Sequence, residues 1–229
     1  MLDKLRTEVL EANLELVRRG LVIYTFGNAS GVSRELGMLV IKPSGVPYDK
    51  MTAADMVITD LDGRIVEGDL KPSSDLATHA ALYRAFPSIG GVVHTHSRHA
   101  TAWAQAAREI PCFGTTHADY FHGPIPVTDP LSAADIESQY EANTGTAILR
   151  RMEGLDPLAC PACLVAGHAP FCWGKSVTDA AHTAAIVEEL AAMAWITVTI
   201  NPEVQPISLH LRDKHHFRKH GPTATYGQG

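Results

Sequence analysis

Two imidazoles two positions apart, His94 and His96, stand in the stretch Gly90-Gly91-Val92-Val93-His94-Thr95-His96-Ser97. Extended backbone alternates its side chains, so both rings project to one face while Val93 and Thr95 take the other. Neutral imidazoles aimed at one point are ligands for a divalent transition metal. The apolar run Ile89 to Val93 gives way here to small hydroxyl residues, which places the pair at the rim of a sheet, where functional groups are commonly presented. His168 follows the short apolar run Leu164-Val165-Ala166 in the same way and offers a third imidazole. Asp75, in the first turn of an expected helix, can either favour the helix dipole or reach the metal.

Several polar loops surround these residues in the sequence. Thr25-Phe26-Gly27-Asn28-Ala29-Ser30-Gly31 reads as a small polar turn, and Lys42-Pro43-Ser44-Gly45 brings a hydroxyl, free amides and one ammonium together. The second is a place for a phosphate and equally an ordinary turn. Lys71-Pro72-Ser73-Ser74-Asp75 precedes a helical pattern whose start exposes N–H groups suited to an anion, or needs only a serine cap. Gly114 to Phe121 carries His117, Asp119 and Tyr120 in a loop of functional composition. Cys160-Pro161-Ala162-Cys163 lacks a second pair and a thioredoxin-like context, so it reads as core leading into a strand.

The elements that must hold these groups follow from periodicity. Leu2, Leu5, Val9, Ala12 and Leu16 repeat at helical spacing up to Gly20, and further helices are expected over 76–86, 98–107, 131–151 with a break at Gly145, and from Ser176 through Met193. Val22-Ile23, Met38 to Ile41, Met56 to Thr59, Arg64 to Glu67 and Leu164 to Ala166 read as strands, with Asp60-Leu61-Asp62-Gly63 as a hairpin turn. The tail from Leu209 is basic, His-rich and by composition frayed. Helices alternating with hairpins give an α/β or α+β sandwich in which helices cover one sheet.

At 229 residues, 45% hydrophobic and 19% charged, the chain fits one soluble domain spanning 1–229. A net charge of −6 with interspersed signs offers no nucleic-acid or anionic-membrane surface. The N-terminus lacks a signal-peptide core, the longest uncharged apolar run (Leu190 to Ile200) is too short for a bilayer, and four cysteines form no disulfide framework. A cytoplasmic location is the expectation.

Together these motifs resemble the class II aldolase family, which includes the adducin head, and within it the L-ribulose-5-phosphate 4-epimerase branch. The marks are Gly27-Asn28-Ala29-Ser30, Ile41-Lys42-Pro43-Ser44-Gly45, Lys71-Pro72-Ser73-Ser74-Asp75, Val93-His94-Thr95-His96-Ser97-Arg98-His99, Thr115 to Phe121, His168-Ala169-Pro170-Phe171, and Arg218-Lys219-His220-Gly221 with Tyr226-Gly227-Gln228. The resemblance implies a class II aldolase-like fold, a largely antiparallel central sheet covered by helices. It implies that His94, His96 and His168 bind one Zn2+ per subunit, with Mn2+ or Co2+ as substitutes and Asp75 in or beside the shell. Gly27, Asn28, Ser44, Gly45, Ser73 and Ser74 would receive the sugar phosphate, with Lys42 beside them. Asp119 and Tyr226 would move protons on opposite sides of the reacting fragment.

The implied reaction is C4 epimerisation of L-ribulose 5-phosphate to D-xylulose 5-phosphate in arabinose or ascorbate breakdown, by cleavage and re-formation of the C3–C4 bond. The implied assembly is a C4 homotetramer whose sites lie between neighbours. An L-fuculose-1-phosphate aldolase-like enzyme is the nearest alternative, although that branch has Glu where this chain has Asp75. A non-catalytic adducin-like module would have lost the ligands that are present here. Ala169 and Phe26 depart from the branch's usual Gly and Trp.

Overall fold

The computed structural model describes residues 2–220 and 224–225. Seven strands form one sheet: β1 (Asn28–Ser33), β2 (Met38–Ile41), β3 (Val57–Asp60), β4 (Ile65–Glu67), β5 (Gly91–His94), β6 (Ala162–Leu164) and β7 (Pro170–Gly174). Their order is β4-β3-β2-β1-β5-β7-β6, and every neighbouring pair is antiparallel. The helices are α1 (Asp3–Arg18), α2 (Leu76–Ala85), α3 (Arg98–Gln105), α4 (Thr115–Ala118), α5 (Ala133–Glu137), α6 (Tyr140–Arg151), α7 (Val177–Ile200) and α8 (Leu209–His220).

Two helical layers cover the sheet. On one face, Asn13 of α1 exchanges hydrogen bonds with the Ala29 backbone, accepting its N–H at 2.9 Å and donating to its carbonyl at 3.2 Å. On the other face, Ser30 Oγ meets Tyr83 Oη at 2.9 Å and His79 Nδ1 at 2.7 Å, both from α2. Alternation along β1 thus decides which helix each residue meets. The side chains of Leu39, Val40, Ile41, Val92, Val93, Phe171 and Trp173 fill the space between sheet and helices and are essentially inaccessible. By length and apolar composition α7 could cross a bilayer. Its buried stripe of Val177, Ala180, Ala181, Ala184, Val187, Leu190, Ala191 and Ala194 packs instead in the core of this fold, where α7 meets β5, β7, α1 and α3.

Several elements differ from the sequence expectation. Val22-Ile23 is not a strand; the strand falls on the Asn/Ala/Ser/Gly stretch that read as a turn, because β2 and β5 pair with it on both sides. Pro170–Gly174 forms a strand that periodicity left unread, its residues buried throughout and so without an alternating pattern. The chain breaks at Ser138-Gln139 rather than at Gly145. Gly145 lies inside α6, where a Cβ would come within 2.9 Å of the Ala81 Cβ, so its role is close approach to α2. Residues 209–220, expected to fray, form α8, which packs on α4.

Candidate functional site

Antiparallel pairing brings the start of β1, the end of β2, the end of β5 and the start of β7 to one edge of the molecule. Asn28 lies opposite His94, and His94 lies opposite Phe171. His96 follows two residues beyond His94, and His168 sits in the turn that enters β7. The ring nitrogens of His94, His96 and His168 lie within 4.8 Å of one another, and the three ring centroids form a triangle with 4.9 Å sides. The three-imidazole convergence expected from the sequence is therefore present, and among the described residues it is the only such cluster of His, Cys, Asp or Glu.

Two of the rings are oriented from behind. His94 Nδ1–H donates to the Pro170 carbonyl at 3.0 Å, and the ring stacks on Phe171 at 4.2 Å with 16° between planes. That leaves Nε2 of His94 aimed inward, 3.1 Å from Nε2 of His96. His168 Nδ1 meets the Tyr140 hydroxyl at 3.3 Å, which leaves its Nε2 for the centre. Two imine nitrogens at this separation are satisfied by one shared cation. Burial, with His94 and His96 alongside, lowers the His168 pKa to about 4, and burial likewise lowers that of His96. The His96 and His168 rings are thus neutral near pH 7, as metal ligands must be, and the residues present fit a divalent ion.

Asp75 borders this triangle without joining it. Its Oδ2 accepts from Asn28 Nδ2 at 2.6 Å. Burial alone would raise the carboxyl's pKa, but the nearby His94 and His79 rings, the Asn28 amide and His168 outweigh burial and hold it down. Neither Ser73 nor Ser74 caps α2: the helix starts after Asp75, and Ser73 Oγ accepts the Asp75 N–H at 3.4 Å.

The two loops that read as phosphate sites are joined side by side. Ser44 N–H donates to the Lys71 carbonyl at 2.9 Å and Ser73 N–H to the Lys42 carbonyl at 3.0 Å, around a bridge between Pro43 and Pro72. The side chains of Ser44 and Ser74 remain exposed. Gly27 enters the same edge with φ +73°, and a Cβ there would lie 2.9 Å from the His94 carbonyl, so only glycine lets this turn approach the end of β5. Lys42 is buried, its Nζ 3.3 Å from the carbonyls of Thr25 and Pro43 and 4.9 Å from the Tyr48 ring centroid. Burial lowers its pKa.

Asp119 makes its side-chain bonds to α8. It ends α4 and pairs with Arg218 at 3.1 Å, His215 at 3.1 Å and Lys219 at 3.3 Å, all on α8. Burial would raise its pKa, but the Arg218, His215 and Lys219 contacts outweigh it and keep the carboxylate ionised. None of the groups bonded to it belongs to the imidazole triangle. Tyr226 lies outside the described residues; nearby, Thr225 N–H donates to the Arg218 carbonyl at 3.0 Å. Cys160 and Cys163 are buried and unbridged, and burial drives the Cys160 thiol up to about 12. That is the chemistry of core residues and not of nucleophiles.

Sequence reasoning missed Tyr140 and Phe171 as the groups that orient His168 and His94. Phe171 stood in a motif without a role, and Tyr140 carried no signal because its partner lies 28 residues away.

The profile of the Class II Aldolase and Adducin N-terminal domain matches residues 7–195. A curated relative, "L-ribulose-5-phosphate 4-epimerase UlaF" of Salmonella paratyphi C (strain RKS4594), is 54% identical over 227 residues, covering 99% of this chain and 100% of its own. Among solved structures, "L-fuculose 1-phosphate aldolase" superposes with a TM-score of 0.79 at 23% identity, over 93% of this chain and 94% of its own. "L-fuculose 1-phosphate aldolase from Glaciozyma antarctica PI12" superposes with a TM-score of 0.76 at 15% identity, over 97% of this chain and 84% of its own. These two likenesses speak to the fold.

Proposed function

The chain belongs to the class II aldolase and adducin family, and from that membership, its epimerase relatives and the converging imidazoles we propose that it is a metal-dependent L-ribulose-5-phosphate 4-epimerase. The observation that carries this reading is the three-imidazole triangle set against two hydroxyl-rich loops at one sheet edge.

The carbon to be inverted bears a hydroxyl and lies beyond the position that enolisation of the carbonyl can reach. Inversion therefore proceeds by breaking the C3–C4 bond, turning the aldehyde and re-adding it through its other face. A divalent ion, Zn2+ with Mn2+ or Co2+ as substitutes, would supply Lewis-acid stabilisation of the negative charge that develops as the bond breaks. His94, His96 and His168 would hold it, and Asp75 would stand beside them as a carboxylate fixed by Asn28. Gly27, Asn28, Ser44, Gly45, Ser73 and Ser74 would bind the phosphate and keep glycolaldehyde phosphate from leaving, with Lys42 adding positive charge behind the loops. Retention is what separates epimerisation from net cleavage.

Two proton-transfer groups are needed, one for each orientation of the C4 oxygen. Asp119 and Tyr226 take these roles in our reading. The side-chain partners of Asp119 lie on α8 and none belongs to the triangle, so in this reading these groups serve the metal site of a neighbouring copy, in keeping with a fourfold homo-oligomer whose sites lie at its interfaces. Four unbridged cysteines support a reducing, cytoplasmic setting.

Product analysis tests the reading. Metal-loaded protein given L-ribulose 5-phosphate should yield D-xylulose 5-phosphate by NMR. Accumulation of dihydroxyacetone and glycolaldehyde phosphate would identify an aldolase instead.

A further inference from the structure

Strand β5 ends at His94 and helix α3 begins at Arg98, so His96 rides on a three-residue link whose far end is the start of α3. Ser97 occupies the capping position of that helix, yet its side chain makes no capping bond. The acceptor comes from α7, some 90 residues along the chain. The Glu188 carboxylate accepts the N–H of His99 at 2.9 and 3.1 Å, the N–H of Ala100 at 3.0 Å and the His99 Nδ1–H at 2.7 Å. A carboxylate on the unpaired first-turn amides gains from both hydrogen bonding and the helix dipole. The pair is partly shielded, the Glu188 side chain being 18% exposed, and Trp195 packs on the His99 ring at 5.8 Å. One turn further along α7, the Ala191 carbonyl accepts the Trp103 Nε1–H at 3.0 Å, so α3 is fastened to α7 at a second point.

We propose that Glu188 is a positioning residue for the metal centre: by fixing the start of α3 it fixes the turn that presents His96. The inference rests on reading the imidazole triangle as a metal site. His94 and His168 are oriented by contacts on their own rings, from Pro170 and Tyr140. The described residues place no comparable hydrogen bond on His96 Nδ1, so this ligand depends on its backbone. Ligand placement within about 0.5 Å is what metal affinity demands, and groups bonded directly to a ligand are typically worth about 10- to 100-fold in affinity, which bounds what a contact acting through the backbone contributes.

The test compares Glu188→Ala and Glu188→Gln with wild type, using Trp103→Phe as a variant that loosens α3 from α7 without touching its start. Mn2+ dissociation constants would be read by EPR of the free ion on metal-stripped protein, and the ligand-field bands of the Co2+-loaded protein would report coordination geometry. Glu188→Ala is expected to weaken Mn2+ binding about 10-fold, the lower end of that range, and to alter the Co2+ bands. Glu188→Gln, which keeps one acceptor oxygen, should fall between it and wild type. Trp103→Phe should lower the melting temperature and leave both metal readings unchanged. Wild-type metal readings in Glu188→Ala would overturn the proposal, as would equal weakening in Trp103→Phe. If Glu188→Ala does not fold, Glu188→Gln decides on the same two readings. A wild-type protein that binds neither ion would defeat the metal reading itself, and this inference with it.

Discussion

In His94 and His168 the free nitrogen is set by what occupies the other one. Pro170 and Tyr140 take Nδ1 of His94 and His168, and the stacked Phe171 prevents the His94 ring from turning. His96→Asn should therefore abolish metal loading and turnover together, measured by metal analysis and by rate on one preparation. Tyr140→Phe removes only a hydroxyl behind a ligand; it should leave the fold intact and weaken metal binding about 10- to 100-fold. Ser74→Ala removes a candidate phosphate donor from an exposed loop and should raise KM more than it lowers kcat, since that contact persists through the reaction. The convergence of the His-x-His pair with His168 was legible because a candidate ligand set is written in residue type and position. Tyr140 was not, because its role exists only once α6 meets the turn before β7.

At the scale of elements, the β3–β4 hairpin, α2, α3 and the start of α7 followed from alternation, spacing and the Ser176 cap, which accepts the Asp179 N–H at 3.1 Å. Of the strands that carry the site, β2 and β5 were read and β1 and β7 were not. β1 is built of small and polar residues and is a strand because it lies between β2 and β5, while β7 is buried on both faces and shows no period. Pairing partners decide both, and a single stretch of sequence does not contain them. Composition also misjudged α8, whose basic residues are neutralised in part by Asp119 and Asp213. Gly145 shows how an element's position rests on one atom. Gly145→Val would press its side chain into Ala81 and Thr78 of α2, and should cost about 1–3 kcal/mol in urea unfolding. A variant as stable as wild type would mean that α2 and α6 can separate freely.

The whole molecule has two consequences to check. Burial holds the His79 pKa at about 3 and that of His117 at about 4, against 6.5 for an ordinary imidazole. As pH falls below 6.5 the unfolded chain takes up protons that the folded chain refuses, so this stability is complete above 6.5 and is lost progressively towards 4 and below. The urea midpoint of metal-free protein should drop steadily over that window; a flat profile would show that these rings are accessible. The pairing of Asp119 with α8 and with no imidazole of the triangle gives the second consequence. His96→Asn and Asp119→Asn should each be inactive, and co-expressing them should restore about a quarter of wild-type turnover, the share of interfaces with both halves intact in randomly mixed rings. No recovery would place the whole site within one chain.

The central claim, that the three imidazoles hold the ion on which epimerisation depends, meets its most direct test in a titration. Metal-free protein would receive Zn2+ or Mn2+ stepwise while bound metal and conversion of L-ribulose 5-phosphate are followed together. Activity should rise in proportion to bound ion and saturate at one per chain. Full activity in the chelated protein, or saturation without turnover, would contradict it.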